Sequence, residues 1–243
     1  MPGPSSSEVE ALAPMVPWSD FLPAFMEAWS PNDSQRAEHV TVVGPTGQGK
    51  TTLMLALLKE RARLRSSHIV IMAAKPKDAT LSRLGWPILR EWPPGYGQAQ
   101  VIYWPKFGDV RGVIARQRAA FEPVLADIFA DGNRTIYIDE AAYFTEDLKL
   151  DGILRRIWQM GRSQNLLVVA GTQRPVRVPR PMFSECSWFA AFRSTDEDEL
   201  RRVSEIGGAD TKALRAIIRT LQPHEFVICS TRTGKMLRSK VSK

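Results

Sequence analysis

Short apolar runs alternate along most of this chain with longer segments whose apolar residues recur at helical spacing. The runs are rich in β-branched and aromatic residues, which is typical of buried strands. They lie at about 39–43, 67–74, 99–104, 135–138, 166–170 and 187–192. Helical spacing between them covers about 51–65, 112–131 and 150–161. Strands that alternate with helices predict an α/β fold with a mainly parallel sheet flanked by helices.

The amino-terminal segment follows another pattern. Residues 1–17 are rich in Pro, Ser and Ala, which favours a flexible arm. Residues 18–29 resemble a short amphipathic helix. We therefore expect an arm and a short helix over residues 1–36, followed by a single domain over residues 37–243.

The remaining segments complete the predicted fold. Residues 86–97 are rich in Pro, Gly and aromatic residues and are predicted to form a loop. Helices are expected at about 196–202 and 210–220. Two strand-like runs at 225–230 and 235–240 flank a turn, which predicts a short C-terminal β-hairpin.

Residues 44–52 read GPTGQGKTT and match the phosphate-loop pattern. A predicted strand precedes the segment and a strong helix former follows it, as the motif requires. Glycines let backbone N–H groups turn towards an anion, and the helix N-terminus adds the positive end of its dipole. The segment is therefore predicted to bind the phosphates of a nucleotide. Its residues are Gly44, Pro45, Thr46, Gly47, Gln48, Gly49, Lys50, Thr51 and Thr52.

Two side chains of this loop and two downstream acids predict nucleotide chemistry. Lys50 is expected to reach the β- and γ-phosphates, and the Thr51 hydroxyl is expected to ligate Mg²⁺. The apolar run at 135–138 ends in Asp139 and Glu140, at the edge of the sheet where ligands bind in open α/β folds. Asp139 is then expected near Mg²⁺, and Glu140 is placed to orient and deprotonate an attacking water. The predicted cofactors are ATP and Mg²⁺.

Polar and basic residues follow two further predicted strands. The run at 166–170 leads into GTQRP, where Gln173 is a candidate to touch the γ-phosphate or the attacking water. The next residues, RPVRVPRP at 174–181, form a basic loop that prolines stiffen. A second basic loop, KPKD at 75–78, follows the strand predicted at 67–74.

The composition narrows the choice of partner. Thirty-three Lys and Arg against 26 Asp and Glu give a formal net charge of +7, which favours a polyanion such as DNA. No apolar run approaches the roughly 18 residues of a membrane span, and the amino terminus lacks the layout of a secretory signal. Cys186 and Cys229 form no metal-like pair, so we expect a reducing, cytoplasmic setting.

Taken in chain order, the segments GPTGQGKT, TIYIDEAA and GRSQNLLVVAGTQRP resemble the FtsK/HerA superfamily of DNA-pumping ATPases. The resemblance covers about residues 38–195, and the Gln-Arg-Pro after the last strand is its most specific part. It implies a RecA-like P-loop core and an Mg²⁺-dependent ATPase that translocates double-stranded DNA as a hexameric ring. In size the chain is most similar to the small viral genome-packaging ATPases. That similarity implies a capsid or membrane-vertex protein as a partner, and a location in the host cytoplasm or at the packaging vertex.

The same resemblance implies further site residues. Arg162, in the segment MGRSQN, occupies the place of the arginine finger, which reaches the γ-phosphate of a neighbouring subunit; Arg155 and Arg156 remain alternatives. A ring motor holds a duplex by its phosphates without reading sequence. The candidate DNA contacts are the basic residues of the two loops, namely Lys75, Lys77, Arg174, Arg177 and Arg180. The basic segment at 232–243 is the next candidate.

Three other functions fit the same motifs. The first is a plasmid or conjugative DNA-transfer ATPase, a class that usually carries a membrane anchor. The second is a terminase-type motor, although too little chain follows residue 195 for a typical nuclease domain. The third is an assembly or regulatory ATPase that moves no DNA, and stimulation of ATP turnover by duplex DNA distinguishes it from the others.

Overall fold

One continuous sheet organises the computed structural model, which describes residues 6–29, 38–64, 67–95, 98–109, 111–208 and 210–242. Within these ranges the sheet has nine strands, in the order β3-β4-β2-β5-β6-β1-β7-β8-β9. They are β1 (Val40–Val43), β2 (His68–Met72), β3 (Ile88–Leu89), β4 (Gln100–Tyr103), β5 (Arg134–Ile138), β6 (Leu167–Thr172), β7 (Trp188–Phe192), β8 (Glu225–Ser230) and β9 (Met236–Lys240).

The strand directions place several strand ends at one edge. Every neighbouring pair from β3 across to β7 is parallel, whereas β8 and β9 are antiparallel to their neighbours. Val43 pairs with Thr172, and Ile138 pairs with both Ala170 and Met72. The carboxyl ends of β1, β2, β5 and β6 therefore lie side by side. The mainly parallel sheet and the C-terminal hairpin are confirmed, and the hairpin extends the main sheet.

Helices connect and cover the strands. They are α1 (Ser6–Leu12), α2 (Trp18–Trp29), α3 (Lys50–Leu64), α4 (Ala79–Ser82), α5 (Val113–Asp131), α6 (Asp151–Met160), α7 (Pro181–Ser184), α8 (Glu197–Arg202) and α9 (Thr211–Thr220). A π-helical turn spans Tyr143–Asp147, and 3₁₀ turns span Gly161–Gln164, Pro175–Arg177 and Val203–Glu205. In the described part of the chain, no helix has the length and apolar character needed to cross a membrane.

Both faces of the sheet are buried. Side chains alternate between the faces along β1, so that Val43 packs in one apolar cluster and Val42 in the other. The first cluster includes residues of α5, α6 and α9, and the second includes residues of α2 and α3. Burial on both faces explains why the parallel strands read as continuous apolar runs in the sequence.

The amino-terminal segment differs from its prediction. Residues 6–12 form α1, and Val9 and Ala13 are buried. Val16 donates its N–H to the carbonyl of Arg238, and the N–H of Arg238 bonds to the carbonyl of Pro14, so the segment pairs with the middle of β9. The prediction of a flexible arm is therefore wrong for the described residues from 6 to 17. Composition did not predict this ordered segment, because a few apolar residues are enough to hold it when the edge of a strand supplies backbone hydrogen-bond partners.

The predicted helix at 18–29 is confirmed, and it packs on the same sheet as the rest of the chain. The ring of Phe21 lies edge-on to Phe226, with centroids 5.1 Å apart. The predicted boundary between residues 1–36 and 37–243 falls at 30–37, outside the described residues, so the division stays a prediction. A short strand, β3, forms within the predicted loop at 86–97, of which 96–97 lie outside the described residues.

A buried histidine joins the amino-terminal ends of the central strands. His39 precedes β1, and its Nδ1 accepts the N–H of Val168 at 3.0 Å. Its Nε2 lies 3.1 Å from the carbonyl of Trp158, to which it must donate because Nδ1 is the acceptor. Burial lowers the pKa of His39 from 6.5 to about 4, and the positive charge of Arg162 adds to the effect, against the opposing hydrogen bond to Trp158. The ring is therefore neutral in the folded protein.

The lowered pKa of His39 predicts a loss of stability in mild acid. The unfolded chain takes up a proton near pH 6.5 and the folded protein does not, so the stabilisation is present above that pH and is lost as the pH falls towards 4. Between about pH 7 and pH 5 we expect this group alone to lower the free energy of unfolding by about 2 kcal/mol. Urea unfolding at several pH values measures it.

His39→Asn keeps an acceptor for Val168 and removes the titration, so its stability should depend less on pH over the same interval. His68→Asn is the matched control, because His68 is exposed at the start of β2. Equal pH dependence in wild type and His39→Asn would show that His39 does not titrate with the lowered pKa.

Candidate active site

The phosphate loop lies between β1 and α3, as predicted. Gly44 and Gly49 have φ values of +151° and +114°, a region that L side chains rarely adopt. A Cβ at Gly49 would lie 2.6 Å from Cγ2 of Val241, and one at Gly44 would lie 2.7 Å from Cβ of Phe192. Glycine is thus required at both positions. Since α3 begins at Lys50, its first backbone N–H groups are available to an anion.

Lys50 is folded against its own loop. The side chain is largely buried, and Nζ donates to the carbonyl of Pro45 at 2.9 Å. Burial lowers the pKa of Lys50, and the negative charges of Glu140 and Asp139 oppose that shift. The ammonium group is therefore held at the mouth of the loop, facing the two acids that the sequence predicted.

Asp139 is the centre of the polar network at this edge of the sheet. Its Oδ1 accepts the hydroxyls of Thr51 at 2.8 Å and Tyr137 at 2.9 Å. Its Oδ2 accepts Nζ of Lys75 at 2.5 Å. Burial by itself raises the pKa of Asp139, but the hydrogen bonds and charge of Lys75, with the hydroxyls of Thr51 and Tyr137, lower it overall. The carboxylate is therefore ionised at neutral pH.

Glu140 is oriented by the end of β6. Its Oε1 accepts the hydroxyl of Thr172 at 2.6 Å, and its Oε2 accepts the N–H of Gln173 at 3.0 Å. The side-chain oxygen of Gln173 accepts the hydroxyl of Thr46 in the phosphate loop. Glu140, β6 and the phosphate loop are thus joined by consecutive hydrogen bonds.

The edge of the sheet encloses a cavity of about 470 Å³, a size typical of small-molecule sites. Its lining includes Lys50, Thr51, Asp139 and Gln173, which the sequence analysis had placed together. Glu140 lies beside this cavity through its bond to Gln173. The geometry therefore brings the predicted phosphate-binding, metal-binding and catalytic side chains of a single subunit to one place.

The donor set suits a hard cation. Thr51 and Asp139 present oxygen atoms 2.8 Å apart beside the start of α3. Magnesium in nucleotide sites is bound by one or two protein oxygens together with phosphate oxygens and water. No group of three His, Cys, Asp or Glu residues forms a metal cluster anywhere in the described residues. Thr51 and Asp139 fit Mg²⁺ on these terms.

Two lining residues were missed by the sequence analysis. His224 and Val241 lie before β8 and after β9 and also line the cavity. The His224 Nδ1 is 3.1 Å from the carbonyl of Gln48. No local sequence signal marks them, because their position depends on the way the hairpin joins the sheet.

Tyr137 was also missed, although its position could have been predicted. It lies two residues before Asp139, and residues two apart on a strand share a face. Its buried hydroxyl donates to Asp139 at 2.9 Å, as described above. The tyrosine therefore helps to fix the rotamer of the acid.

The two predicted DNA-binding loops differ in what their basic side chains contact. Lys75 was predicted to contact DNA, and its side chain lines the cavity and bonds to Asp139. Lys77 and the basic side chains of the second loop are exposed at the same edge of the sheet; the latter are Arg174, Arg177 and Arg180. Arg177 lies 3.7 Å from Glu146.

The second loop is held by more than its prolines. Arg202 donates to the carbonyl of Pro175 at 3.2 Å and to that of Val178, and its guanidinium lies over the ring of Phe183 at 5.5 Å. Residues 175–177 form a 3₁₀ turn. The loop is therefore anchored by a residue of α8 while its basic side chains face outwards.

The three candidate finger arginines lie away from this cavity. Arg162 is exposed in the turn that precedes β6, at the edge of the sheet opposite to the phosphate loop. Arg155 bonds to Asp151 at 2.6 Å, and Arg156 is exposed on the same helix. The lengths of β1 and β6 therefore separate Arg162 from the phosphate loop of the same subunit.

The fold and this site define a P-loop ATPase. The AAA domain family matches residues 33–175, more than half of the chain. The chain therefore belongs to the AAA domain family.

Individual relatives refine this assignment. The DNA packaging ATPase P9 of Enterobacteria phage PRD1 is 29% identical over 196 residues, which cover 79% of this chain and 78% of that protein. The genome packaging NTPase B204 from Sulfolobus turreted icosahedral virus 2, solved with ATP-gammaS, matches with a TM-score of 0.58 at 16% identity, over 84% of this chain and 97% of that one. VirB4 of Thermoanaerobacter pseudethanolicus matches with a TM-score of 0.67 at 9% identity, over 88% and 92%. The predicted resemblance to the small viral genome-packaging ATPases is confirmed.

Proposed function

We propose that this protein is an Mg²⁺-dependent ATPase that moves double-stranded DNA and that it packages a viral genome. The observation that carries the proposal is the hydrogen-bonded path from Glu140 through Thr172 and Gln173 to the basic loop at 174–180. This path gives a nucleotide site a direct connection to a candidate DNA-binding surface. The similarity to the packaging ATPase P9 supports the biological task.

The proposed reaction is transfer of the γ-phosphoryl group to water. The oxygen of the attacking water bonds to the γ-phosphorus while Glu140 accepts a proton from that water. The bond between the γ-phosphorus and the β–γ bridging oxygen breaks, which leaves ADP and inorganic phosphate. The bonds from Thr172 and Gln173 orient the Glu140 carboxylate for this step. Gln173 is also placed to contact the γ-phosphate, because it already contacts Thr46.

Phosphate binding is assigned to the loop at 44–52. Its glycine conformations and the start of α3 present backbone N–H groups, and Lys50 turns from Pro45 to the phosphates when they bind. Thr51 and Asp139 would hold Mg²⁺, which neutralises charge that develops on the phosphate oxygens. Both residues are already joined by a hydrogen bond, which places their oxygen atoms side by side.

We further propose a ring of identical subunits, with six as the expected number. Arg162 lies at the edge of the sheet opposite to the phosphate loop, as a residue that completes a neighbour's site would. An interface that joins opposite edges is heterologous, and such interfaces close into rings when the rotation permits. Each site would then be complete only within the assembly.

The DNA surface is proposed to consist of Lys77, Arg174, Arg177 and Arg180. All four are exposed beside the ends of core strands, and duplex DNA bound without sequence readout is held mainly through its phosphates. The N–H of Arg174 donates to the same Thr172 hydroxyl that bonds to Glu140. A movement of the loop would therefore change the position of the catalytic carboxylate. A capsid or membrane-vertex protein would anchor the ring during packaging.

The roles proposed for Glu140 and Arg162 predict that mixing two inactive variants partly restores ATPase activity. Glu140→Gln should bind ATP but hydrolyse it about 10²- to 10⁴-fold more slowly. Arg162→Ala should also bind ATP and lose about 10³- to 10⁵-fold if the arginine acts as a finger. On equal mixing, about a quarter of the interfaces pair an intact Glu140 with an intact Arg162 in a randomly mixed ring, and phosphate release should recover accordingly.

The control for this experiment is each variant alone at the same total concentration. Arg155→Ala and Arg156→Ala, each mixed with Glu140→Gln, test the two alternative finger arginines in the same way. Wild-type turnover by Glu140→Gln would show that Glu140 is not the base. Full activity of a strictly monomeric protein would contradict a finger supplied by a neighbour.

The proposed DNA surface predicts a loss of affinity that is the same for all sequences. The double variant Arg177→Ala with Arg180→Ala should bind unrelated duplexes more weakly, and its salt dependence should be shallower by about two phosphate contacts. DNA should also stimulate its ATPase less than it stimulates wild type. Fluorescence anisotropy over a range of salt concentrations measures both affinity and slope.

A matched control removes two other exposed arginines that form ion pairs, Arg63→Ala with Arg118→Ala. This control has the same net charge as the test variant, so a purely non-specific charge effect would weaken both equally. Unchanged affinity and slope in the test variant would place the DNA path elsewhere, with residues 232–243 to be tested next. Absence of any DNA stimulation in wild type would favour an assembly ATPase that moves no DNA.

A further inference from the structure

We propose that Lys75 is a second lysine of the nucleotide site and that its ammonium group binds the terminal phosphate of ATP. The inference rests on the proposed ATPase function and adds a residue that distinguishes ATP from ADP. It replaces the expectation that Lys75 contacts DNA.

The backbone around Lys75 is fixed by the neighbouring elements. The carbonyl of Lys75 accepts the indole N–H of Trp104 at 2.7 Å, and the carbonyl of Ala74 accepts the side-chain amide of the buried Gln117 at 2.8 Å. Asp78 caps α4 just beyond. The loop therefore holds the Cα of Lys75 in place and leaves only its side chain to move.

That side chain bridges two acids at the cavity. Nζ lies 2.5 Å from Asp139 Oδ2 and 3.7 Å from Asp78 Oδ2, and the side chain is 55% exposed. The second distance is too long for a hydrogen bond, so Asp139 is its main partner. Lys75 thus neutralises the same carboxylate that accepts the hydroxyl of Thr51.

The order of the strands shows which end of the cavity Lys75 occupies. Lys75 follows β2 and Gln173 follows β6, on either side of β5, which ends at the two acids. His224 and Val241 lie at the opposite end, beside β8 and β9. Phosphates bound at the start of α3 would then point their terminal group towards Lys75 and Gln173, and the nucleoside towards His224.

Electrostatics gives the reason for Lys75 to change partner. A divalent cation held by Thr51 and Asp139 would repel the ammonium group from the carboxylate. The nearest new anion at that end of the cavity is the terminal phosphate, which a flexible four-carbon side chain can reach. Lys50 and Lys75 would then neutralise the triphosphate from two sides, whereas ADP would lack the group that Lys75 binds.

Lys75→Met tests this directly, because it keeps most of the side-chain length and removes the charge. Calorimetric titration of ATP and ADP, with excess Mg²⁺ and in the Glu140→Gln background to prevent hydrolysis, measures both affinities. We expect the ATP affinity to fall about 10- to 100-fold, as for loss of a charged hydrogen bond. The ADP affinity should change by less than about threefold.

Two further variants complete the design. Lys59→Met removes an exposed lysine of α3 outside the cavity and should leave both affinities unchanged. Lys75→Arg keeps the charge and should retain most of the preference for ATP over ADP. This variant still tests the proposal if Lys75→Met proves unstable. Thermal melts establish that each variant folds.

The remaining outcomes each overturn a defined claim. Equal losses of ATP and ADP affinity would show that Lys75 only supports Asp139, and no loss of either would remove it from the site. If the parent protein binds neither nucleotide, the proposed ATPase function itself fails, and this inference fails with it.

Discussion

The site depends on one carboxylate, Asp139, and on the parallel pairing that presents it. Because β1, β2, β5 and β6 end at the same edge of the sheet, groups distant in sequence converge on this residue. Thr51, Tyr137 and Lys75 all donate to it. These hydrogen bonds outweigh the effect of burial and keep the pKa of Asp139 below its usual value, so the charge needed for a cation is maintained inside a partly buried site.

A second consequence of the same geometry is that the candidate catalytic acid and the basic loop share one side chain, Thr172. Thr172 donates its hydroxyl to Glu140 and accepts the N–H of Arg174. A shift of Arg174 would therefore alter one of these bonds. Arg202 anchors the loop from α8 through the carbonyls of Pro175 and Val178. The loop would thus move as a unit when the nucleotide site changes. The proposed coupling of hydrolysis to DNA binding requires such a movement.

The sequence predicted those parts of the fold and site that depend on local pattern. The phosphate loop, the acid pair and the alternation of strands with helices could be recognised because neighbouring residues set their conformation. The contact of Lys75 with Asp139 was not predicted, because only the pairing of β2 with β5 brings the two residues together. Likewise, α1 could not be predicted, since Arg238, which pairs with Glu10 of α1, lies at the other end of the chain.

The central claim is that ATP hydrolysis at the Lys50–Asp139–Glu140 site moves the protein along double-stranded DNA. Displacement of a fluorescent third strand from a duplex tests it most directly, because only movement along the duplex removes that strand. We expect rapid displacement after addition of ATP and Mg²⁺ to the wild-type protein. We expect none with Glu140→Gln, which should still bind both ATP and the duplex. Hydrolysis of ATP on the duplex without displacement of the third strand would contradict it.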